Sequence, residues 1–342
     1  MVEHHKYRFC DGPYQIKEWL NNICQERKGE INIFASLRNY PKLAILVASI
    51  LVTQHSRGAV NSKSSILQET QKNHYRYIVD FDGDALSDLS VFSLKERTLY
   101  SKSGLKYRAK SIFEVPLPIL GDYNGDGKTD LAFFDRGFWF IPKFLITNMG
   151  KRGDIPVPAD YDGDGKADLA IWRPRDGAWV FSSGKTSYWG ETQDIPLPMD
   201  YDGDGRADIA IWRPSEGKWY IKNFFHEVSS VQWGGQGDIP VPGDFDGDGA
   251  ADLAVWRPRD GIWYIRVSRG ENQTFSWGIE KDFPVPGDYN GDGKIEPAVW
   301  RPSEGKWYIL GREPVQFGSS GDIPIAWNIW VLWLKSLFDS PR

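Results

Sequence analysis

The chain has 342 residues, 41% hydrophobic and 14% aromatic, which is enough apolar content to rule out wholesale disorder. Its net charge is −5 and its basic residues are scattered, with no Lys/Arg run or stripe, so nucleic acid is not expected as a partner. The only cysteines, Cys10 and Cys24, lie upstream of everything periodic, so no disulfide framework holds the main body together.

The first 74 residues read as an N-terminal extension. Ile16, Trp19, Leu20, Ile23 and Cys24 recur at helical spacing and predict an amphipathic helix over 13–27. Residues 43–52 (LAILVASILV) form an apolar run of ten. A bilayer-spanning helix needs about 20 residues, so no stable membrane span is expected. The run does have the length of a signal-peptide core, preceded by Arg38 and Lys42 and followed by Ser56 and Gly58 at positions suited to cleavage. Because 42 residues precede it, two readings stay open. It is a leader or anchor whose true start lies inside this sequence, or a buried strand or helix. The first predicts a secreted or cell-surface protein.

From residue 75 to 328 the sequence is periodic. A nine-residue acidic tract starts at Asp80, Asp122, Asp160, Asp200, Asp244 and Asp288, at intervals of 42, 38, 40, 44 and 44 residues. A fixed period of this length marks a solenoid, propeller or array. Within the unit at 155–190, Ile-Pro-Val-Pro-Ala is short and extended, and its prolines leave one edge without ladder donors. The acidic loop follows, then Leu-Ala-Ile-Trp-Arg, a Pro-Arg-Asp-Gly turn, Ala-Trp-Val-Phe-Ser and a last strand ending in Trp189-Gly190. Four short antiparallel strands per repeat describe a propeller blade, with the proline strand innermost. The fold class is therefore an all-β propeller of four-stranded blades.

Tryptophan travels with the repeat. Trp172/Trp179, Trp212/Trp219, Trp256/Trp263 and Trp300/Trp307 are each seven apart across a hairpin and are expected to fill the wedges between blades. A second series, Trp189, Trp233, Trp277 and Phe317, precedes glycine on the outer strand. Its three tryptophans are the candidate ligand-binding residues, because small neighbours can leave an indole face open to a sugar. The first unit has Phe92 and Leu99 in place of the hairpin pair, and the second has Phe134 and Trp139 only five apart. A further unit opens at Asp322 but lacks an acidic loop, so six complete blades are expected and a degenerate seventh contributed by the termini stays open. Residues 329–342 form an atypical apolar tail.

The acidic loops hold 22 of the chain's 46 carboxylates. Positions 1, 3, 5 and 9 carry side-chain oxygens, and position 7 offers a backbone carbonyl. The first loop supplies Asp80, Asp82, Asp84 and Asp88, the second Asp122, Asn124, Asp126, Lys128 and Asp130. The third supplies Asp160, Asp162, Asp164, Lys166 and Asp168, the fourth Asp200, Asp202, Asp204, Arg206 and Asp208. Asp244, Asp246, Asp248, Ala250 and Asp252 make the fifth, and Asp288, Asn290, Asp292, Lys294 and Glu296 the sixth. Hard oxygen ligands alternating along a tight loop suit Ca²⁺, and glycine at position 6 permits the sharp turn. Six divalent ions would move the net charge from −5 to about +7. An EF-hand is excluded, since strand residues such as Ile171 and Val255 stand where its bidentate Glu belongs.

On these motifs the sequence resembles the FG-GAP/VCBS-type repeats of integrin-α-like β-propellers over residues 75–328. The resemblance implies a calcium loop between the first and second strands of each blade, with about six Ca²⁺ on the residues just named. Such propellers usually close with seven blades. Ala85 replaces the expected glycine in the first loop, and Glu296 replaces Asp in the sixth. Similar propellers occur in secreted bacterial proteins and fungal lectins, so a glycan or extracellular protein is the expected partner. One histidine, His226, lies in the repeats, so no Ser/His or Cys/His constellation is assembled. A non-enzymatic recognition module is the leading expectation. A carbohydrate-active hydrolase or lyase using two carboxylates, and a purely structural spacer, are the alternatives.

Overall fold

The structure, a computed structural model, describes residues 78–109 and 117–326. The expected helix at 13–27, the apolar run at 43–52 and the tail at 329–342 lie outside them. The described residues form six four-stranded antiparallel sheets and no helix. No helix among them is long and apolar enough to cross a membrane.

The third blade shows how the repeat folds. Ile155–Pro156, Ala170–Arg173, Ala178–Phe181 and Thr186–Tyr188 follow one another across the sheet. The proline strand is an edge strand, as its missing donors require, and is fully buried, whereas the outermost strand is largely exposed. Between the middle strands the turn closes on Gly177 at φ +65°. A Cβ there would meet the Gly190 carbonyl oxygen at 2.4 Å, so both the backbone conformation and the space demand glycine.

The hairpin tryptophans are core. Trp172 sits opposite Trp179, Trp212 opposite Trp219, Trp256 opposite Trp263 and Trp300 opposite Trp307. All eight are at most 1% exposed. Phe92–Leu99 and Phe134–Trp139 take the same cross-strand place in the first two blades. Seven of the eight indoles donate within their own blade, Trp212 being the exception; Trp172 and Trp179 both donate Nε1 to the Trp189 carbonyl, at 3.1 and 3.0 Å.

No seventh blade is present among the described residues. Asp322–Ile325, expected to open one, is the innermost strand of the first blade. Its residues pair with Ser90–Ser93, Ile323 against Phe92 and Ile325 against Ser90. The first acidic loop is entered through Val79, whose carbonyl accepts the Asp88 N–H at 2.6 Å, as the Ala159 carbonyl accepts the Asp168 N–H in the third. The unpaired edge of Ser90–Ser93 is completed by the C-terminal strand, which satisfies its ladder donors and closes the ring at six.

Candidate metal centres

In the second to sixth blades the acidic loop joins the innermost strand to the next, and each of the six loops is wound on its own carboxylates. In the third, Asp160 accepts N–H bonds from Gly163 and Gly165 at 2.6 and 2.8 Å. Asp162 accepts from Asp164, Asp164 from Lys166, and Asp168 from Tyr161, at 3.1, 2.8 and 3.1 Å. The turn needs a left-handed residue at position 6. Gly165 has φ +90° with open space around it, so the demand is on the backbone and not on packing. Ala85 meets the same demand at φ +68°, against its intrinsic preference.

This winding gathers oxygens. One oxygen each from Asp160, Asp162 and Asp168 lies within 4.8 Å of the others. The same holds for Asp80, Asp82 and Asp88, for Asp200, Asp202 and Asp208, for Asp244, Asp246 and Asp252, and for Asp288, Asp292 and Glu296. Among the position-5 residues, Asp292 joins its cluster, while Asp84, Asp164, Asp204 and Asp248 stand outside theirs. The second loop does not bring Asp122, Asp126 and Asp130 together in this way; there the Asn124 amide donates to Asp130 at 2.9 Å. In the sixth loop the Asn290 amide likewise donates to Glu296.

The clusters are electrostatically uncomfortable without a counter-charge. Burial pushes the Asp200 carboxyl up to about 6, and the Asp208 and Asp252 carboxyls up to about 7. Neighbouring carboxylates add to the rise, while backbone N–H bonds oppose it. Asp80, Asp88, Asp130, Asp168, Asp244 and Glu296 are raised for the same leading reason. Five of these clusters could hold a hard, oxygen-binding cation.

The loops are also tied to one another. The position-8 N–H of each bonds the position-1 carbonyl of the loop before it: Thr129 to Asp80 (2.6 Å), Ala167 to Asp122 (2.7 Å) and Ala207 to Asp160 (2.7 Å). Ala251 to Asp200 (2.7 Å), Ile295 to Asp244 (2.8 Å) and Ser87 to Asp288 (2.6 Å) complete a closed ring of six. Position 7, considered from sequence only for its carbonyl, contributes its side chain to this ring. Lys128 Nζ donates to the Asp82 carbonyl at 2.5 Å, and Lys166, Arg206 and Lys294 lie against Gly125, Gly163 and Gly247 of the preceding loops. Ala250 has no such reach and sits beside Gly203.

Two features escaped the sequence reading. Arg173, Arg213, Arg257 and Arg301 each clamp the aspartate that opens their own blade, Asp154, Asp194, Asp238 and Asp282, with Nε to Oδ1 distances of 2.7–2.9 Å. The signal was present as a constant Asp-to-Arg spacing of 19 residues. The second feature is the role of the outer tryptophans. Trp189, Trp233 and Trp277 are half-buried, and their indoles donate to the Tyr220, Tyr264 and Tyr308 carbonyls of the next blade at 3.4, 3.1 and 2.9 Å. They tether adjacent blades, and each keeps part of its ring at the groove between them.

Residues 200–255, spanning the fourth and fifth loops, match the model of the FG-GAP-like repeat. The described residues are a six-bladed β-propeller with FG-GAP-like repeat sequence at 200–255. Three solved structures are similar to this chain. An Agrocybe aegerita lectin that recognises non-reducing terminal N-acetylglucosamine is 13% identical, with 74% of this chain and 94% of that one covered at a TM-score of 0.43. A streptogramin B lyase is 10% identical, with 72% and 87% covered at a TM-score of 0.46. BBS1N, solved in complex with ARL6DN, is 10% identical, with 73% and 90% covered at a TM-score of 0.42. No curated protein matches this propeller significantly in sequence.

Proposed function

We propose that this FG-GAP-like propeller is a calcium-stabilised, non-enzymatic recognition module that works outside the cytosol and binds a glycan or a protein. The observation that carries the calcium reading is the convergence of three carboxylate oxygens within 4.8 Å in each of five loops, every cluster including at least one buried aspartate. Loops without the position-12 carboxylate of sensor EF-hands belong with the weak sites of extracellular modules, at roughly 10⁻⁴–10⁻³ M, which supports a calcium-rich compartment. The partner is expected at the inter-blade grooves. Between the third and fourth blades Trp189 lies beside Lys222, whose ammonium is 5.7 Å from the ring centroid and 3.1 Å from Ser187 Oγ. An aromatic edge with a cation and a hydroxyl suits a sugar.

A hydrolase or lyase would need a carboxyl that stays protonated near neutrality to act as acid. The carboxyls with raised values face the ion sites. The turn carboxylate Glu304 is instead pulled down to about 2, chiefly by the Tyr308 hydroxyl, with Lys306 and Arg301 adding to it. Calorimetry of dialysed protein tests the proposal: about five calcium ions per chain are expected, with Mg²⁺ a poor substitute because it demands a small octahedral site. Fewer than three would overturn it. Chelation should also lower the melting temperature, since each site held at a hundredfold over its Kd adds about 2.7 kcal/mol.

A further inference from the structure

The turn between the third and fourth strands of the fifth blade folds back over that blade's own acidic loop. Ser268 donates its hydroxyl to Asp248 Oδ2 at 2.6 Å and its N–H to Asp252 Oδ1 at 2.7 Å. Arg269, next along the chain, donates its N–H to Asp246 Oδ2 at 3.3 Å and brings Nε to 3.3 Å from Asp248 Oδ2. Two adjacent residues thus engage the carboxylates at positions 3, 5 and 9 of one loop. The third loop has no such cover: Asp162, Asp164 and Asp168 accept only backbone N–H bonds from within the loop. In the fourth, the Asn223 amide reaches Asp202 at 3.2 Å, but no cation accompanies it. The cover shows in exposure, since Asp246 and Asp248 are half-buried whereas Asp162, Asp164, Asp202 and Asp204 are exposed. Among the described residues no other position-5 aspartate makes an ion pair, and Arg312 in the sixth-blade turn makes none.

We propose that Ser268 and Arg269 act as a tethered counter-ion, which makes the fifth loop the weakest calcium site of the ring and the one whose shape depends least on calcium. This inference rests on the calcium reading above. A carboxylate oxygen that already holds a donor must give it up or share it before it ligates a metal ion, so each bond from the turn counts against binding at this loop. The guanidinium adds a positive charge beside the carboxylates. That charge offsets their mutual repulsion when no ion is bound and opposes the arrival of one. Solvent screens the pair, because the Arg269 side chain is 83% exposed, so its own effect is modest and the donors of Ser268 and the Arg269 backbone supply the rest.

Calorimetric titration of the full chain with calcium, together with melting curves in EDTA and in calcium, tests the proposal. The wild type is expected to take up its last ion in a weaker class. Asp246→Asn should abolish that class alone, whereas Asp162→Asn should remove an ion from the tighter class. Arg269→Gln is expected to tighten the weak class by about two- to fivefold, the scale of an exposed charge pair, and Arg269→Glu by more. Lys185→Gln, which removes a third-blade turn cation that makes no ion pair, should leave every class unchanged. Melting separates this role from a merely structural one. In EDTA Arg269→Gln should melt below wild type, and saturating calcium should close or reverse the gap. An Arg269→Gln titration indistinguishable from wild type overturns the proposal and leaves calcium in the loops standing. So does loss of a tight-class ion in Asp246→Asn, or an Arg269→Gln variant equally destabilised in both conditions. A wild type that takes up no calcium overturns this inference and the calcium reading together.

Discussion

Phe92 pairs with Ile323 in antiparallel register, joining the beginning of the propeller to its end. Both sit in the first blade, which takes three strands from the start of the ring and one from its close. The ring therefore holds only as firmly as this single seam.

Ile325, 1% exposed in that strand, is the residue on which the seam turns. Replacing it with Asp puts an unpaired charge into the closing strand and is expected to cost about 3–5 kcal/mol. Denaturant unfolding would measure this. A shift no larger than that of a surface substitution would mean that the C-terminal strand does not close the ring.

The raised carboxyls predict an unusual pH dependence for the metal-free protein. Asp208 and Asp252 sit near about 7 in the folded state, against an ordinary 3.8. A group raised on folding contributes stability below its unfolded pKa and loses it as pH rises through the folded value. In EDTA the melting temperature should therefore be higher at pH 5 than at pH 8. With calcium the order should close or reverse, because the ion holds these groups charged. A metal-free protein more stable at pH 8 would contradict the electrostatic reading of the loops.

The two tryptophan series should separate by magnitude. Trp256→Ala removes a fully buried indole and is expected to cost about 3–5 kcal/mol. Trp233→Ala removes a half-buried ring and its 3.1 Å bond to the next blade, and should cost about 1–3 kcal/mol. The second is a change from the sequence-based expectation of a free stacking platform, which implied almost no cost. Equal losses would place both series in the core.

Ala85 offers a gain. It holds the left-handed conformation that glycine holds in the other loops, at φ +68°. Ala85→Gly should stabilise the protein by about 1 kcal/mol, with the relief of strain partly offset by the greater freedom of glycine when unfolded. Destabilisation in chemical denaturation would mean that the first loop tolerates this backbone without strain.

The amino-acid pattern by itself determined the blade, the acidic loops and the hairpin core, because each is encoded within about 40 neighbouring residues. Prolines mark the edge strand, glycine marks the turn, and a tryptophan seven residues after another lands opposite it across a hairpin, as Trp263 does to Trp256. Tertiary structure alone decided whatever joins one blade to the next. A local repeat does not count its own copies. The six blades of the described residues close where the ladder donors of Ser90–Ser93 find their partners in Asp322–Ile325. The outer indoles looked free in the sequence because their acceptors, the Tyr220, Tyr264 and Tyr308 carbonyls, belong to the following repeat. The same distance hid the ring of bonds between loops. Lys128 and Asp82 are far apart along the chain, and only the radial packing of two blades brings that ammonium to that carbonyl.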